Sequence, residues 1–595
     1  MRPMNRFRVP AVLCGLTFLI CELVSRPFAE MGIADDWSYV WTVRILAATG
    51  HIVYNGWATA MLGWQLYLAA GLVKIFGFSF SVARISTLLV GAATAFLIQR
   101  VFVRMGANER NATIGSLAVV LSPLYLLLSA TLMTDIGGLF ALVICLYGCL
   151  RAIQSFPGGS ALAGADTPSA TRAAIGWLCF AAASNVFFGS SRQIAWLGVL
   201  VLVPSTAWLL RRHRGLLAAG LVATLVGAAF VAWGMHWFKE QPYTLVEAAM
   251  VKVTSLHQVF YMVRQMSREL TNVPFFGLAI MIAFLPELRR GGVRFKAVLA
   301  AVGVAYLAVA IRETPRHGPG MMLVPMTGDW VGLQGFYGAF LGSPGPEVFG
   351  LGLRITLTAL VLLSVLCVFA FARRVLSIRH HSTLLPAEGG RHRLAWGELG
   401  VLLGPFTLAY LTLLLPRSLE LLYDRYALPL ILIAIVCLIR AYQDFVRPAL
   451  PQATVFAVAL IGLFGVSATH DMFAFDRARV QVADEMRAAG VPDTLLDGAF
   501  EYDGWVELEH AGHMNDPRIA NPPNSFVAVD PHRGLSCVPG NTEYFSPALP
   551  DLTPAYGIAF RPDACRGAAA FAPVSYHRWL GLNTATLYVV KYGPR

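Results

Sequence analysis

Residues 81–132 read SVARISTLLVGAATAFLIQRVFVRMGANERNATIGSLAVVLSPLYLLLSATL and contain two long apolar runs, 82–103 and 112–132. Each run is close to the roughly 20 residues that an α-helix needs to cross a membrane. The segment between them carries Arg104 and Arg110, as expected of a short loop on the positively charged side of a membrane. Because such runs recur along the chain, the sequence predicts a polytopic α-helical membrane protein.

The composition of the 595 residues supports this fold class. Hydrophobic residues make up 56% and charged residues 13%, and the mean hydropathy is +0.61. Ordinary soluble domains carry about twice that charged fraction, so a large soluble enzyme and a disordered chain are both excluded. The net charge of +12 is spread over short arginine clusters between apolar runs, which argues against a nucleic-acid partner.

Thirteen apolar runs are predicted to span the membrane. They are 9–26, 82–103, 112–132, 136–152, 173–190, 194–210, 215–235, 272–287, 296–311, 350–372, 396–415, 425–441 and 453–469. Segment 58–77 is nearly long enough to span, but we expect it to lie on the membrane surface. With a cytoplasmic N-terminus, that choice puts 22 Arg and Lys residues on the cytoplasmic side, mostly in short loops, against twelve spread over longer outer loops.

The predicted topology divides the chain into a transmembrane module, 1–470, and an outer domain, 471–595. Surface helices are expected within the long outer segments, at 36–48 and 58–76 in the first outer loop (27–81) and at 244–270. The composition of 471–595 is richer in Pro, Asp, Asn and Gly. An amphipathic helix at 473–489 and strand-like runs at 494–501, 525–529 and 585–591 predict a small C-terminal α/β cap outside the membrane.

Three acidic residues are expected at the outer ends of spans. Asp35 and Asp36 follow the first span, and Asp135 lies in a hairpin between the third and fourth spans. A carboxylate near the membrane is costly unless it has a task or a partner, although ordinary loop acids at the interface remain the alternative. Carboxylates that share one membrane face suit a general base or a divalent metal site.

Arginines are predicted at helix ends on the same outer side. They are Arg44, Arg84, Arg192 and Arg425. The planar guanidinium group binds phosphate oxygens through two parallel hydrogen bonds, whereas the alternative is interaction of each arginine with lipid headgroups. Acids and arginines together at the outer face indicate chemistry on a lipid phosphate.

Five stretches resemble, in order, motifs of the C-type glycosyltransferases (GT-C fold), which include protein O-mannosyltransferases and lipid A aminoarabinose transferases. The family's first outer loop typically carries Asp-Glu-x-x-Tyr, and this chain has Asp35-Asp36-x-x-Tyr39 in ADDWSYVWTVRILAATGHIVYNGW. The others are FGFSFSVARISTLLVGAATAFL, LSPLYLLLSATLMTDIGGLFALVICLYGCL, SSRQIAWLGVLVLVP and LLYDRYALPLILIAI. They contain Arg84, Asp135, Arg192 and Arg425-Tyr426 respectively.

The resemblance implies a polyprenyl-phosphate-linked sugar as donor and transfer to an acceptor hydroxyl at the outer membrane face. Asp35 would be the catalytic carboxylate and Asp135 its support, with inversion at the anomeric carbon. The donor phosphate would contact the four arginines named above, Tyr39 and Tyr426. Asp36 replaces the usual Glu, and it would join Asp35 as a ligand if a divalent metal is used. No other cofactor is expected.

A transporter or lipid flippase is the alternative function. Transporters tend to carry charged residues in the middle of spans and to show repeated halves. In this sequence the acids fall at the outer ends of spans and no internal repeat is visible, which favours the enzyme.

The predicted location is a bacterial inner membrane, with the N-terminus cytoplasmic and the cap in the periplasm. Seven of the nine cysteines lie in apolar runs, and Cys537 and Cys565 lie in the cap. An oxidising outer compartment would allow these two to form a disulfide. The expected partners are the lipid-linked donor, membrane lipids and an acceptor that could be a glycan, a lipid or a protein.

Overall fold

The helices of the chain follow the predicted membrane-spanning runs. The computed structural model describes residues 9–57, 60–155, 168–244, 253–290, 292–317, 323–325, 330–336, 341, 345–377, 393–419, 422–514, 552–562 and 571–591. The α-helices are α1 (Val9–Ser25), α2 (Asp36–Thr49), α3 (Gly63–Phe76), α4 (Phe80–Arg104), α5 (Glu109–Val120), α6 (Pro123–Ser129), α7 (Thr134–Ile153), α8 (Pro168–Gly189), α9 (Val203–Leu209), α10 (Arg214–Glu240), α11 (Leu256–Leu270), α12 (Asn272–Phe276), α13 (Leu278–Met281), α14 (Leu285–Arg289), α15 (Val293–His317), α16 (Leu351–Ser377), α17 (Trp396–Arg417), α18 (Leu428–Phe445), α19 (Gln452–Ala488) and α20 (Phe500–Ala511).

Each of the thirteen predicted runs is helical, which confirms a mostly helical membrane protein. Within the described residues, eight helices are long and apolar enough to cross a membrane, or ten if each of two bent helix pairs counts as one span. A total of thirteen also needs the shorter apolar helices Val9–Ser25 and Gln193–Leu209, together with α15. The number thirteen therefore stays a prediction.

The predicted run 112–132 is broken rather than straight. Helices α5 and α6 meet at an angle of 64°. The break lies at Ser122, whose extended backbone and hydroxyl cap the first turn of α6, and at Pro123, which has no N–H for a continuing helix. Helix α19 packs against this break through Gly465, where a Cβ atom would lie 2.7 Å from Leu126 Cδ1.

The first outer loop has helices at the two predicted places, and their position on the membrane surface stays a prediction. Helix α2 covers the predicted 36–48, and α3 begins at Gly63, later than the predicted 58, with residues 58–59 outside the described part. Helix α2 ends at Gly50, whose φ of 78° is the left-handed conformation that glycine adopts without strain. The surface helix predicted at 244–270 is described from Leu256 as α11.

Helix α19 differs from the prediction of two separate helices. It runs without interruption through 37 residues, joining the predicted span 453–469 to the predicted amphipathic helix 473–489. The residues between them contain no Gly or Pro, so nothing in the sequence ends the helix there. The helix ends as predicted, just before Gly490. The division of the chain at 470 thus falls inside one helix, and it stays a prediction.

The strands form a hairpin and a four-stranded sheet. They are β1 (Val331–Gly332), β2 (Gly335–Phe336), β3 (Leu496–Asp497), β4 (Tyr556–Ala559), β5 (Val574–Arg578) and β6 (Asn583–Lys591). The first two pair as the hairpin, and the sheet has the order β3-β4-β6-β5, with only the β3–β4 pair parallel. This confirms the small C-terminal α/β region.

Of the predicted cap strands, one is mostly not formed and another lies outside the described residues. The predicted strand 494–501 is wrong for most of its length, because β3 has two residues and α20 begins at Phe500. Ala499, at φ 78°, turns the chain between them, and its N–H donates to Asp497 Oδ1 over 3.2 Å. The predicted strand 525–529 lies outside the described residues, as do Cys537 and Cys565 with their predicted disulfide.

The cap packs directly on the first outer loop. Trp37 of α2 makes an edge-to-face contact with Phe500 of α20, with ring centroids 5.5 Å apart. Gly504 allows α20 to lie close to the same Trp37 ring. One turn further along α2, Trp41 meets Trp505 edge-to-face at 5.3 Å. The cap and the loop that carries Asp35 and Asp36 therefore share one aromatic interface.

We expect Gly504→Ala to loosen this interface, because the added methyl group would lie 2.7 Å from two atoms of the Trp37 ring. Overpacking of this kind costs about 1–3 kcal/mol, measured as a lower thermal unfolding midpoint of the purified protein in detergent. Gly176→Ala in α8 is the matched control, since no atom lies within 4 Å of its Cβ position. That change should stabilise by about 0.5–1 kcal/mol. Equal unfolding midpoints for Gly504→Ala and the wild type would contradict the close packing.

Candidate active site

Asp35 is the acidic residue that remains open to solvent. It precedes α2 and follows Ala34, whose φ of 49° lies in the left-handed region that non-glycine residues seldom adopt. The Trp57 indole N–H donates to Asp35 Oδ1 over 2.9 Å, and Arg425 Nη2 lies 3.7 Å from Oδ2. The carboxylate side chain is 28% exposed. It is therefore oriented by two side chains and still reachable by a ligand.

Asp36, its neighbour in sequence, is fully buried. Arg84 donates to it from Nε (2.8 Å) and Nη2 (3.1 Å), and the main-chain N–H groups of Ile33 and Leu132 also donate to its two oxygens. The remaining Arg84 donors go to carbonyl oxygens in the first outer loop, at Ala29 and Met31. Asp36 and Arg84 thus join three segments of chain in one closed network.

Asp135 and Arg192 form a second ion pair. Arg192 Nη1 lies 2.8 Å from Asp135 Oδ1 and 3.2 Å from Thr134 Oγ1. The stem of Arg192 packs against Gly138, where a Cβ atom would be only 3.2 Å away. Asp135 Oδ2 is buried and has no hydrogen-bond partner within the described part of the chain. The pair thus retains one carboxylate oxygen that can accept a hydrogen bond.

Arg425 lies in a 3-10 turn, Asp424–Ala427, just before α18. Its guanidinium carbon is 4.6 Å from the Tyr423 ring centroid and 5.7 Å from that of Tyr426. Arg192 approaches the Tyr426 ring as well, at 5.0 Å. The two arginines therefore share the ring of Tyr426 as a common neighbour, which brings the two ion pairs together.

Tyr39 lies among these charges. It is one helical turn after Asp35 and 4% exposed. Burial raises the pKa of the Tyr39 phenol, as do Asp35 and Asp135, whereas Arg425 and Arg192 lower it. The phenol is thus within electrostatic range of all four groups. The described structure thus gathers six predicted residues into one cluster, which we call the acid–arginine cluster: Asp35, Tyr39, Asp135, Arg192, Arg425 and Tyr426.

Three predicted site residues have other surroundings. Arg84 and Asp36 are enclosed together, as described above. Arg44 is 41% exposed and pairs with Glu509 of the cap at 3.3 Å, with its guanidinium 5.1 Å from the Trp41 ring. The structure therefore brings Arg44 to the aromatic interface between α2 and α20 rather than to the acid–arginine cluster.

Three aromatic residues for which the sequence indicated no role also contact the cluster: Trp57, Tyr423 and Trp330. Trp57 is the last residue of the first stretch that resembles C-type glycosyltransferases, ending in YNGW, and this position was the one sequence feature that could have indicated a role for it. Trp330 lies in a long outer segment with no distinguishing pattern, and its main-chain N–H donates to Asp424. Its ring is 5.9 Å from the Arg425 guanidinium.

A divalent metal held jointly by Asp35 and Asp36 does not fit this geometry. Both oxygens of Asp36 accept hydrogen bonds from Arg84 and from main-chain N–H groups. In the described ranges, no group of three or more His, Cys, Asp and Glu side chains could hold a metal ion.

No protein-family model matches the chain, and no curated protein matches it. Solved structures do resemble it. ArnT from Cupriavidus metallidurans in the apo state is 16% identical over 98% of this chain and 99% of that one, with a TM-score of 0.37. The oligosaccharyltransferase AglB from Archaeoglobus fulgidus, in complex with an inhibitory peptide and a dolichol-phosphate, is 15% identical over 91% and 69% of the two chains, with a TM-score of 0.38.

The Saccharomyces cerevisiae protein O-mannosyltransferase Pmt1-Pmt2 complex bound to the sugar donor is a further match. It is 14% identical with a TM-score of 0.33, and the match spans 42% of this chain and 36% of that one. Protein O-mannosyltransferases are among the proteins that the five sequence motifs resemble. All three TM-scores are below 0.4.

We expect Arg84→Met to destabilise the protein, since it leaves Asp36 charged, buried and without its partner. Removing one member of a buried pair costs about 3–5 kcal/mol, measured as the unfolding free energy in detergent. Arg44→Ala, which breaks an exposed pair, should cost less than about 1 kcal/mol. The double change Arg84→Met with Asp36→Leu should recover part of the loss. An Arg84→Met protein with wild-type stability and weak donor binding would instead assign Arg84 to the donor site.

Proposed function

We propose that this protein is a membrane glycosyltransferase that moves a sugar from a polyprenyl-phosphate donor to an acceptor hydroxyl, with inversion. The observation that carries this proposal is the acid–arginine cluster. It combines a partly exposed carboxylate, Asp35, with two arginines that share the Tyr426 ring. A base beside phosphate-binding groups is what sugar transfer from a lipid phosphate requires, and the five motifs that resemble C-type glycosyltransferases contain these same residues.

Asp35 is the proposed base. The acceptor hydroxyl gives its proton to the Asp35 carboxylate while the hydroxyl oxygen attacks the anomeric carbon of the donor sugar. The bond from that carbon to the phosphate oxygen breaks, and polyprenyl phosphate leaves with the bonding electron pair. Attack from the side opposite to the phosphate inverts the anomeric configuration. The indole N–H of Trp57 holds one carboxylate oxygen at 2.9 Å, so the other oxygen is available for the proton.

Arg425 and Arg192 are the proposed phosphate ligands. Negative charge grows on the phosphate as the sugar leaves, and guanidinium groups already oriented towards it stabilise that charge in the transition state. Each arginine has an acidic partner, Asp35 at 3.7 Å and Asp135 at 2.8 Å, and an aromatic ring beneath it. These contacts hold the guanidinium groups in position before the donor arrives. Tyr39 and Tyr426 complete the wall of the phosphate site.

We further propose that the cluster faces the outside of a bacterial inner membrane, with the N-terminus in the cytoplasm and the cap in the periplasm. Asp35 follows α1, Asp135 begins α7, Arg192 follows α8 and Arg425 precedes α18, so these four helix ends share one membrane side. The excess of Arg and Lys in the short loops at the opposite ends supports a cytoplasmic position for those loops.

Asp35→Asn tests the proposed base. We expect turnover to fall by at least about 10²-fold, because the amide cannot take the acceptor proton, while donor binding stays near the wild-type value. The measurement is sugar transfer by the full-length protein reconstituted with lipid-linked donors. Asp484→Asn, an exposed acid on the cap part of α19, is the matched control and should retain full activity. Full activity of Asp35→Asn would remove Asp35 from the mechanism.

Arg425→Ala tests the phosphate site. A charge-assisted contact is worth about 1.5–3 kcal/mol, so binding of the polyprenyl-phosphate sugar should weaken roughly 10- to 100-fold. Arg425→Lys should fall between, because lysine keeps the charge but lacks the planar fork. Arg487→Ala, an exposed arginine of the cap, is the control. Unchanged donor binding by Arg425→Ala would leave interaction with lipid headgroups as the role of this arginine.

A further inference from the structure

A polar cavity lies between the cap and the β1–β2 hairpin, outside the acid–arginine cluster. Its enclosed part has a volume of about 50 Å³, and about 450 Å³ is reached only when the open mouth is included. The walls come from α19 (Asp471, Phe475), from the sheet (Phe560, Tyr576, Arg578) and from the turn of the β1–β2 hairpin (Gln334). Three separate parts of the chain thus meet around one opening, and the reaction proposed above uses none of these side chains.

Three polar side chains that line this cavity have unused hydrogen-bonding groups. Arg578 is 4% exposed, and its one ion pair is from Nε to Asp471 Oδ2 at 3.9 Å. Its terminal nitrogens donate to no other residue of the described chain, and the same holds for the hydroxyl of Tyr576 and the amide of Gln334, which are both half-buried. Burying the Arg578 guanidinium costs free energy unless water or a ligand completes its hydrogen bonds. The convergence of the three side chains indicates a binding site.

The charges in the cavity favour a neutral ligand. Asp471 balances Arg578, and its two oxygens already accept the main-chain N–H groups of Trp579 (2.6 Å) and Leu580 (3.1 Å). The pair therefore offers no excess positive charge to an anion. The cavity thus offers the hydrogen-bond donors and acceptors of its polar side chains beside apolar rings. The rings of Phe475 and Phe560 are stacked, with centroids 5.4 Å apart. Hydroxyl groups suit the polar side chains, and the C–H face of a sugar ring suits the aromatic wall.

The β1–β2 hairpin links this cavity to the acid–arginine cluster. At its start, the N–H groups of Trp330 and Val331 donate to the Asp424 carboxylate, next to Arg425. At its turn, Gln334 reaches the cavity. Four residues span at most about 14 Å, so the two ends of this segment are within the length of a short glycan.

We infer that the cap cavity binds a sugar residue of the acceptor, and hence that the acceptor is a glycan. This inference rests on the proposed function, since it names the substrate that the same reaction would use. A glycan seated in the cavity would extend along the hairpin and present a hydroxyl group to Asp35.

The experiment measures saccharide binding to the full-length protein in detergent by saturation-transfer difference NMR. The probes are glucose, galactose, mannose, N-acetylglucosamine and maltose, with inorganic phosphate as an anionic competitor. Tyr576→Phe and Gln334→Ala each remove polar atoms with little change in packing, and each should weaken binding roughly 3- to 10-fold. Tyr588→Phe in β6 and Gln481→Ala in α19 are matched controls outside the cavity and should bind as the wild type does.

The outcomes separate this inference from the proposed function. Saccharide binding that weakens in both cavity variants, stays unchanged in Asp35→Asn and is not displaced by phosphate supports the inference. In transfer assays the cavity variants should then raise KM for a glycan acceptor with kcat unchanged. Absence of binding by all five saccharides, equal binding by variants and controls, or displacement by phosphate would overturn the inference. Cavity-dependent binding without any sugar transfer by the wild type would overturn the proposed function alone.

Discussion

The buried ion pair between Arg84 and Asp36 is the contact on which the proposed active-site end of the helix bundle depends. Taking two charges out of water is costly, and it is tolerated only when their hydrogen bonds are satisfied. Arg84 donates to Asp36 and to two carbonyl oxygens, and Asp36 also accepts two main-chain N–H groups. The pair thereby ties the first outer loop to α4 and to the chain entering α7.

The two adjacent acids therefore differ in what they can do. Asp36 is buried and both of its oxygens accept hydrogen bonds, so it stabilises the loop. Asp35 is left at the edge of the same network, with Trp57 and Arg425 as partners and part of its carboxylate open. Because the backbone between them is held from both sides, Asp35 keeps its position without having to be buried itself.

The sequence predicted the helices well, because apolar runs of membrane-spanning length and the positions of arginines are local properties. Of the nine acid, arginine and tyrosine candidates named from the sequence, six lie in one cluster in the structure. The sequence could not show that Asp36 is buried while Asp35 stays partly exposed, since the burial of Asp36 depends on a contact with Arg84, 48 positions away. The strand expected at 494–501 failed for a related reason: strand preference depends on neighbours, and here Asp497 and Arg479 hold a turn instead.

The cap is connected to Asp35 through a chain of aromatic contacts. Phe500 of α20 lies 5.5 Å from the Trp37 ring and 5.1 Å from the Trp57 ring, and Trp57 donates to Asp35. Beneath α20, Arg479 binds the Gly498 carbonyl, Asp476 and Glu501 with every partner buried. That network fixes the start of α20, and therefore Phe500, against the loop. The cap thus helps to hold the proposed base, and a change in the packing of the cap would be transmitted to Asp35 through the position of Trp57.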